Sequence, residues 1–437
     1  MPSVDLVPQY QRDNGWHEIL PELTEPTQVV GDIVADYVVV GGGYSGLAAT
    51  RRLAELDPGA SVALVEGTRI GNNAAGRSSG FAIDHAHNLR AKGFASDTTH
   101  AKQQIALNRS GLAYLDEIIT REGIDCDWRQ DGKYHAAASE RGERMLGHFA
   151  ESLDAIDEDY TLHDADELGD IFGTRYYNKA LHAPHSYLVQ PAALVRGLAD
   201  TMPPNVTVYE DSMVRSVDYG PPHVLRTDRG SVTTPILVLA TNGFVEGFGF
   251  FKRHLIPLIT WGSMTRQLTP SEVERLGGVE SYGIIGGHPA GSSIRRTADH
   301  RILVRNIFSY SRKSNIMGFM RERSAKQHRR SFEARWPQLA DVPFENSWGG
   351  ALSLARNGEP VFGELQKNVY ASVVHQGVGI ARGSIAGRLL AEMILGQDSE
   401  ELRLMQAKGR PNKNLPFQGL GVIINAEARR IIAGREE

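Results

Sequence analysis

The clearest pattern in the chain is an apolar run that leads directly into a glycine-rich turn. The run is Tyr37 to Val40, and the turn reads Gly41-Gly42-Gly43-Tyr44-Ser45-Gly46. After the turn, apolar residues recur at the i, i+4 and i+7 spacing of a buried helix face, and a second apolar run, Val62 to Val65, ends at Glu66. The pattern predicts a strand, a tight turn, a helix and a second strand closed by an acidic side chain.

Similar patterns predict elements along the rest of the chain. Apolar residues at helical spacing predict helices at 99–122, 140–157, 191–199, 317–335 and 381–395, with a helix start at 164–168. Alternating or continuous apolar runs predict strands at 187–190, 206–209, 214–219, 224–227, 231–233, 235–240, 256–268, 294–308 and 368–374. The run 235–240 is apolar throughout, as a central strand of a parallel sheet is, so an α/β fold is expected.

Composition and charge narrow the classes of function. A chain of 437 residues, 41% hydrophobic and 23% charged, is expected to form about two to three ordinary globular domains. Its net charge of −5 predicts no general attraction to nucleic acid or to an anionic membrane. We attribute the basic face of the helix at 317–335 to solvation. No apolar run reaches the roughly 18 residues of a membrane span.

The single cysteine and the N-terminal sequence bear on the compartment. Cys126 alone excludes an internal disulfide framework and fits a reducing compartment, and Met1 to Tyr10 lacks the segments of a secretory signal, so we expect a cytoplasmic protein. No metal-ligand spacing is present. Residues 1–32 are expected to form an arm that Tyr10, Trp16 and Ile19 hold against the body.

The first strand–turn–helix unit has the chemistry of a dinucleotide-binding site. Gly41 allows the tight turn, Gly43 lets a pyrophosphate approach the backbone, and Gly46 lets the helix pack closely on the strand. The free N–H groups and the positive end of the helix dipole then face the phosphates. Glu66 is placed to accept hydrogen bonds from ribose hydroxyls. Glycine clusters also form ordinary turns, but the flanking elements favour the nucleotide.

The loop at 69–80 consists mostly of small residues. Small side chains permit close backbone approach to a flat ligand, and they are equally typical of a mobile loop. From the residues alone, both interpretations stay open.

Several short motifs occur along the chain in a fixed order, and together they resemble one family. They are Ala35 to Leu47, Leu64 to Glu66, Arg69 to Gly71, Ala75 to Gly80, Gln190 to Ala192, Leu239 to Gly243, Trp348 to Gly350, Gly377 to Ile380 and Ala386 to Glu392. The set resembles the FAD-dependent D-amino acid oxidase and sarcosine oxidase superfamily, and most closely its gamma-glutamylputrescine oxidase-like branch.

The resemblance implies a fold and a division into domains. The fold is α/β, with a Rossmann-like FAD-binding domain of the glutathione-reductase type and an inserted α+β substrate domain built on a mixed or antiparallel sheet. We expect an N-terminal arm at 1–32, an FAD-binding domain at 33–90, 188–255 and 348–396, a substrate domain at 91–187 and 256–347, and a C-terminal tail at 397–437.

The resemblance also assigns residues to FAD. The glycine turn would hold the pyrophosphate, and Glu66 would hold the adenosine ribose. The small-residue loop would lie along the isoalloxazine ring, Val214 would contact the adenine, and two later segments would line the cofactor. The residues are Gly41, Gly43, Tyr44, Ser45, Gly46, Glu66, Gly67, Asn72, Asn73, Ala74, Ala75, Gly76, Arg77, Ser78, Ser79, Val214, Ala240, Thr241, Gly377, Val378, Gly379 and Ile380. The helix N-terminus after Gly377 would face the N1–C2=O edge of the flavin, where reduction leaves negative charge.

Two positions depart from the family pattern. The region where sarcosine-type oxidases carry a tethering cysteine here reads Gly350 to Ser353, so non-covalent FAD is expected. The position of a carboxylate-holding lysine is Ala381. A carboxylate next to the reacting carbon would therefore need another cation, and Arg295, Arg296 and Arg305 are available.

Candidates for catalysis and substrate binding follow the flavin motifs. His85, Trp261 and His375 are candidate catalytic residues, and Phe81, Gln376 and Arg295 are candidate substrate contacts; Asp84 and His87 lie near Phe81. His85 is more typical of a structural histidine, and Trp261 fits a core position equally well.

The expected reaction is oxidation of an amine C–N bond. Hydride passes to flavin N5, the imine hydrolyses, and O2 or another acceptor reoxidises the flavin. An oxidase is expected rather than a dehydrogenase. The alternatives are a D-amino acid or N-methyl amino acid oxidase, and a flavoprotein subunit that relays electrons in a larger complex. The oligomeric state is open.

Overall fold

A computed structural model describes residues 3–9, 14–85, 98–314, 316 and 318–437. Tyr10, His87, Met317 and the expected domain boundary at 90/91 lie outside the described residues. The helices are α1 Gly15–Glu18, α2 Tyr44–Leu56, α3 Thr98–Glu122, α4 Glu140–Asp154, α5 Ala165–Phe172, α6 Pro191–Asp200, α7 Pro270–Leu276, α8 Gly318–Arg335, α9 Gly379–Ile394, α10 Glu400–Gln406 and α11 Gln418–Ala433.

The strands form four sheets. They are β1 Gly31–Val34, β2 Tyr37–Val40, β3 Val62–Val65, β4 Phe81–Ala82, β5 Lys133–Ala137, β6 Thr161–Asp164, β7 Lys179–Ala183, β8 Tyr187–Leu188, β9 Val206–Tyr209, β10 Ser216–Asp218, β11 His223–Arg226, β12 Gly230–Thr234, β13 Ile236–Leu239, β14 Leu255–Thr265, β15 Tyr282–Gly286, β16 Ser293–Arg296, β17 Ile302–Tyr310, β18 Phe344–Ala355, β19 Val361–Gln366 and β20 Val369–Val373.

A six-stranded sheet carries the glycine turn. Its order is β19-β20-β13-β2-β3-β9, and every neighbouring pair except β19–β20 is parallel. All residues of β2 and β3 are buried, because one face of the sheet packs on helices that include α2 and α9 and the other face packs on the small sheet that contains β10, β11 and β12. Apolar β-branched residues suit that environment. The predicted β2–α2–β3 unit is therefore present.

A mixed eight-stranded sheet faces the first. Its order is β18-β14-β17-β16-β15-β5-β7-β6, in which β5 and β15 pair in parallel and the other neighbours are antiparallel. Two smaller sheets, β1-β12-β11-β10 and β4-β8, complete the molecule. The predicted fold class, α/β with a mixed sheet beside a Rossmann-like unit, is confirmed; the domain boundaries stay a prediction.

The structure corrects two of the predicted strands. The strand predicted at 294–308 is a hairpin of β16 and β17. At the turn the Thr297 N–H donates to the Arg301 carbonyl, the Arg301 N–H donates to Thr297 Oγ1, and His300 has a positive φ of 59°. The strand predicted at 256–268 ends at Thr265. Strand β18 was not predicted, since polar residues in its first half conceal the alternation.

The C-terminal residues, for which no element was predicted, form two helices. Helix α10 begins at a cap in which Ser399 Oγ accepts from the backbone N–H of Leu402, and it buries Leu402 and Met405. Helix α11 approaches strand β17, where Gly419 lies against the ring of Tyr310. Helix α10 has only seven residues, which gives too little periodicity for prediction.

The single cysteine lies in the core beside the six-stranded sheet. Cys126 is 2% exposed, and its carbonyl oxygen accepts a 2.8 Å hydrogen bond from the backbone N–H of Gln190. Burial raises the pKa of its thiol to about 12. The thiol is therefore protonated and enclosed in the folded protein.

Candidate cofactor and substrate site

A cavity of about 940 Å³ opens at the carboxyl ends of the parallel strands. Residues that directly follow β2, β3, β13 and β20 form one side of it, and residues of β14, β17 and β18 form the other. The carboxyl edge of an open α/β sheet is where such folds bind ligands. The N-terminal arm closes one end with Val4, Leu6, Val7 and Pro8.

The three glycines of the turn have different surroundings. A Cβ on Gly41 would lie 2.6 Å from the carbonyl oxygen of Ala240, and a Cβ on Gly46 would overlap the carbonyl oxygen of Gly41. A Cβ on Gly43 would meet only the Cβ of Ala75, at 3.7 Å. Gly41 and Gly46 therefore allow close backbone packing, whereas Gly43 leaves open space on the cavity side.

A second helix N-terminus reaches the same cavity. Val374, Gln376 and Gly377 have φ angles of 64°, 55° and 80°, and this left-handed turn directs the start of α9 into the cavity. A β-branched residue at positive φ is strained, and such strain is often found at binding sites. Helices α2 and α9 approach closely where Gly387 faces the Ser45 carbonyl.

In the part of the chain that the structure describes, these two helices have no side-chain cap. Gly43 is the N-cap of α2 and Val378 is the N-cap of α9, and neither provides a side-chain hydrogen bond to the helix. Two uncapped helix N-termini on one cavity provide free donors and positive dipole ends, which suit a ligand that carries several negative charges.

Glu66 is buried at the end of β3 and is already hydrogen bonded. Its Oε2 accepts from the backbone N–H of Gly42 at 2.8 Å and from Asn73 Nδ2 at 3.2 Å, and its Oε1 accepts from the N–H of Thr68 at 3.0 Å. Burial raises its pKa, and the hydrogen bonds oppose that shift. The carboxylate thus joins the glycine turn to the small-residue loop.

We expect Glu66→Ala to weaken FAD binding by about 1–3 kcal/mol, the range for loss of hydrogen bonds to a charged group. Titration of the apoprotein with FAD measures the change. Glu66→Gln keeps one acceptor oxygen and should give a smaller loss. An unchanged dissociation constant in both variants contradicts the assignment.

The small-residue loop is held on several sides. Arg77 donates from Nε to the Asn72 carbonyl at 2.8 Å and from Nη1 to the Gly349 carbonyl at 3.0 Å. Trp348 Nε1 donates to the Arg77 carbonyl at 3.1 Å, and Trp16 Nε1 donates to the Ser78 carbonyl at 2.8 Å. These contacts tie the loop to β18 and α1, which favours a fixed wall of the cavity over a mobile loop.

Most of the residues that the resemblance assigns to FAD are brought together here. Those that line the cavity are Gly41, Gly43, Tyr44, Ser45, Glu66, Gly67, Asn73, Ala74, Ala75, Arg77, Ser78, Ser79, Val214, Ala240, Thr241, Gly377, Val378, Gly379 and Ile380. Gly46, Asn72 and Gly76 lie behind this wall, where Gly46 and Gly76 permit close backbone contacts. Their role in holding FAD stays a prediction.

Three of the candidate substrate-side residues lie away from the cavity. His85 points to Lys133, whose Nζ is 3.3 Å from its Nδ1, and Trp261 donates to Ser309 Oγ at 2.8 Å. Arg295 pairs with Asp127 at 3.0 Å. Strand alternation explains why the Trp261 side chain points away from the cavity. Neighbouring residues of a strand point to opposite faces, and its neighbour Thr260 lines the cavity. Arg295 Nη1 also donates to the Gly80 carbonyl at 3.3 Å, so it contacts the end of the small-residue loop from behind the cavity wall.

The other candidates line the cavity. Burial lowers the pKa of His375 to about 4, so its imidazole is neutral at pH 7. Gln376 accepts from the N–H of Ala355 at 3.2 Å and donates to the Glu359 carbonyl at 3.1 Å, so its amide holds the turn before α9. Phe81 lies on the cavity wall.

The structure adds residues that the sequence did not single out. Asn306 and Phe308 from β17, His288 from the turn after β15, and Arg382 from the first turn of α9 all line the cavity. Alternate residues of a strand share a face, so the predicted strand could have indicated that Asn306 and Phe308 lie on the same side of β17. The spacing of residues in the sequence gives no signal that His288 and Arg382 line the cavity.

Of the three candidate arginines, Arg305 lines the cavity, and Arg295 and Arg296 do not. Its Nη1 lies 3.4 Å from Ser293 Oγ, its guanidinium lies 4.9 Å from the centre of the Phe308 ring, and no carboxylate among the described residues pairs with it. Burial lowers its pKa to about 10, so it remains charged at pH 7. Arg296 donates instead to the Gly277 carbonyl at 2.5 Å.

The geometry fits an FAD-sized group on one side and a small anionic or polar molecule on the other. Open space at Gly43, two uncapped helix N-termini and a buried acid suit a dinucleotide. The cation of Arg305 and the amide of Asn306 face the same cavity from the mixed sheet. Within the described part of the chain, no group of side chains suited to a metal ion was found.

Comparison with known proteins supports this interpretation. A family model described as FAD dependent oxidoreductase matches residues 36–393. The chain is 28% identical over 377 residues to gamma-glutamylputrescine oxidoreductase of Escherichia coli, covering 83% of this chain and 84% of that protein. It is 26% identical over 399 residues to the probable oxidoreductase OrdL of Haemophilus influenzae, covering 86% of each.

Solved structures share the fold. The crystal structure of glycine oxidase from Geobacillus kaustophilus superposes with a TM-score of 0.71 at 18% identity, covering 84% of this chain and 96% of that one. No helix in the described ranges is long and apolar enough to cross a bilayer.

Proposed function

We propose a reaction and a substrate class for this chain, which belongs to the FAD dependent oxidoreductase family. The protein oxidises the C–N bond of an amine, and its FAD is bound without a covalent link. The observation that carries this proposal is one cavity into which the N-termini of α2 and α9 both open, facing the strands of the mixed sheet. The relative in Escherichia coli is named for an amine substrate, gamma-glutamylputrescine.

Different residues around the cavity would bind different parts of FAD. Gly43, the start of α2 and Glu66 would hold the phosphates and a ribose of FAD, and the start of α9 would face the ring. The bound flavin supplies the hydride-accepting chemistry. His375 lines the cavity with its imidazole neutral at pH 7, because burial lowers its pKa to about 4, so it adds no charge beside the ring.

A neutral amine is the reactive form, because only an unprotonated nitrogen has a lone pair that assists hydride departure. Activity should therefore rise with pH until the substrate amine is deprotonated. The matches to enzymes do not favour an electron-relaying subunit. We infer that O2 accepts the electrons, as the glycine oxidase likeness suggests.

Non-covalent binding rests on the position of the one thiol. Among the described residues no cysteine lines the cavity, and Cys126 lies in the core. We expect acid or heat to release FAD into the supernatant. Flavin that stays with the precipitated protein contradicts this expectation.

Amine-dependent loss of visible flavin absorbance without oxygen tests the reaction class. A panel of primary, secondary and carboxylated amines is mixed with the FAD-loaded protein, and peroxide release and reduction of an artificial dye are then compared in air. Peroxide release supports an oxidase, and dye reduction without peroxide supports a dehydrogenase. If no amine bleaches the flavin, the proposed function is wrong.

A carboxylated substrate is the second candidate, and Arg305 favours it. Position 381 is an alanine, which favours amines without a carboxylate next to the reacting carbon. Arg305 lies instead on the mixed sheet and has no carboxylate partner among the described residues. An amine whose anionic group lies away from the reacting carbon and reaches that sheet would satisfy both positions, whereas an amino acid would satisfy only Arg305.

A further inference from the structure

Helix α11 presents an apolar stripe to the outside of the molecule. Phe417 is 87% exposed and Ile431 is 70% exposed, and Leu420, Ile423 and Ile424 lie between them, each at least half exposed. Residues 420, 424 and 431 recur at spacings of four and seven, which place side chains on one helix face, and Phe417 directly precedes the helix. An aliphatic stripe of this length is unusual on a free surface.

The neighbouring helix α8 has an exposed stripe of its own. Phe319 is 64% exposed, and Arg323, Lys326 and Arg330 follow it at i+4, i+7 and i+11, all exposed. The basic character of this helix was attributed to solvation from the sequence alone. The structure instead sets its cations next to the apolar stripe of α11.

An ion pair joins the two stripes into one surface. Arg323 on α8 lies 3.4 Å from Glu427 on α11. We call the exposed residues of α8 together with the stripe of α11 the α8–α11 surface. Residues 310–335 contain eight Lys and Arg against two Glu, in a chain whose net charge is −5. Arg335 is buried, and the exposed charged side chains of α8 are Arg323, Lys326 and Arg330 with Glu322 and Glu333. The surface is thus aliphatic with a modest net positive charge, opposite in sign to the whole chain.

We propose that the α8–α11 surface binds the interface of an anionic lipid bilayer. Exposed Leu, Ile and Phe side chains on a helix enter the boundary between headgroups and acyl chains, and flanking Lys and Arg are attracted to anionic lipid. The protein lies on the membrane and does not span it. A second copy of this chain is a poor occupant, because the same cations would then face each other.

The surface adjoins the strand that carries the substrate side of the cavity. Tyr310, the last residue of β17, lies against Gly419 of α11, while Arg305, Asn306 and Phe308 of the same strand line the cavity. A protein bound through α11 would therefore hold this wall of the cavity near the membrane. The proposal does not depend on which amine is oxidised.

Co-sedimentation of the FAD-loaded full chain with vesicles tests the proposal. Vesicles of phosphatidylcholine alone are compared with vesicles that also contain phosphatidylserine. We expect binding to the phosphatidylserine vesicles, a loss of at least about tenfold at high salt, and little binding to phosphatidylcholine alone. Absence of binding to both kinds, or equal binding to both, overturns the proposal.

Two sets of variants separate the apolar and the charged parts. Leu420→Ser with Ile424→Ser and Ile431→Ser removes the stripe, and Lys326→Glu with Arg330→Glu reverses the charge. Each should abolish vesicle binding while retaining flavin and amine-dependent bleaching. Leu162→Ser, at an exposed leucine elsewhere, is the matched control and should bind as the wild type does.

Light scattering without vesicles tests the competing occupant. A concentration-dependent dimer that the triple serine variant loses would assign the surface to a second copy and overturn the membrane proposal. If the mass of the wild type and of the triple serine variant does not change with concentration, the membrane proposal is supported.

Discussion

Gly43→Val is expected to abolish FAD binding and to leave the protein folded. A Cβ at this position meets only Ala75 Cβ at 3.7 Å, so the folded chain has room for a branched side chain. The added methyl groups, however, point into the cavity beside the start of α2. They occupy the space in which a pyrophosphate would reach the backbone N–H groups.

Flavin absorbance of the purified variant and titration of its apoprotein with FAD measure the effect, and thermal unfolding without FAD checks the fold. Gly46→Ala is the control, because its Cβ would overlap the Gly41 carbonyl oxygen and it should lower stability itself. Wild-type FAD content in Gly43→Val would refute the phosphate site, and so would unfolding of that variant without FAD.

Arg305→Gln is expected to lower kcat/KM about 10- to 100-fold for amines that carry a carboxylate, which is the range for losing hydrogen bonds between charged groups. Arg305 is a cation without a carboxylate partner among the described residues, and it lines the cavity. A simple amine of the same size makes no ion pair there, so its kcat/KM should change little.

Three substrates make the comparison specific: a secondary amine, the same amine with a carboxylate on the reacting carbon, and the same amine with a carboxylate several bonds away. The carboxylated compound that loses most in Arg305→Gln reveals where the anionic group lies. Arg305→Lys keeps the charge and should recover part of the loss. Equal losses for all three substrates would show that Arg305 maintains the cavity wall without binding the carboxylate.

The sequence predicted well where function depends on neighbouring residues. The glycine turn, α2 and Glu66 lie within one short segment, so their spacing determines their relative positions. The turn at Gly377 and Val378 was also predicted between a strand and a helix, although α9 begins at Gly379, two residues before the predicted start. Backbone conformation is set locally in such motifs, and glycine is informative because few residues tolerate these φ angles.

The substrate side depends on how distant strands face one another, which spacing does not encode. Arg295 and Arg305 are both arginines of the mixed sheet, yet Arg295 pairs with Asp127 and Arg305 faces the cavity. His85 has no sequence signal for its contact with Lys133, 48 residues away. Side-chain partners across a sheet are tertiary facts, and pKa values follow from them.

The enclosed position of Cys126 gives the chain its own indicator of unfolding. Since no other sulfhydryl exists in the sequence, a thiol-modifying reagent has one place to react. That atom is protonated and shielded in the native state, so modification must wait until the packing beside the six-stranded sheet loosens. The labelling rate therefore reports how often the packing beside the six-stranded sheet opens. The decrease in that rate on adding FAD measures how much the bound cofactor stabilises this region against opening.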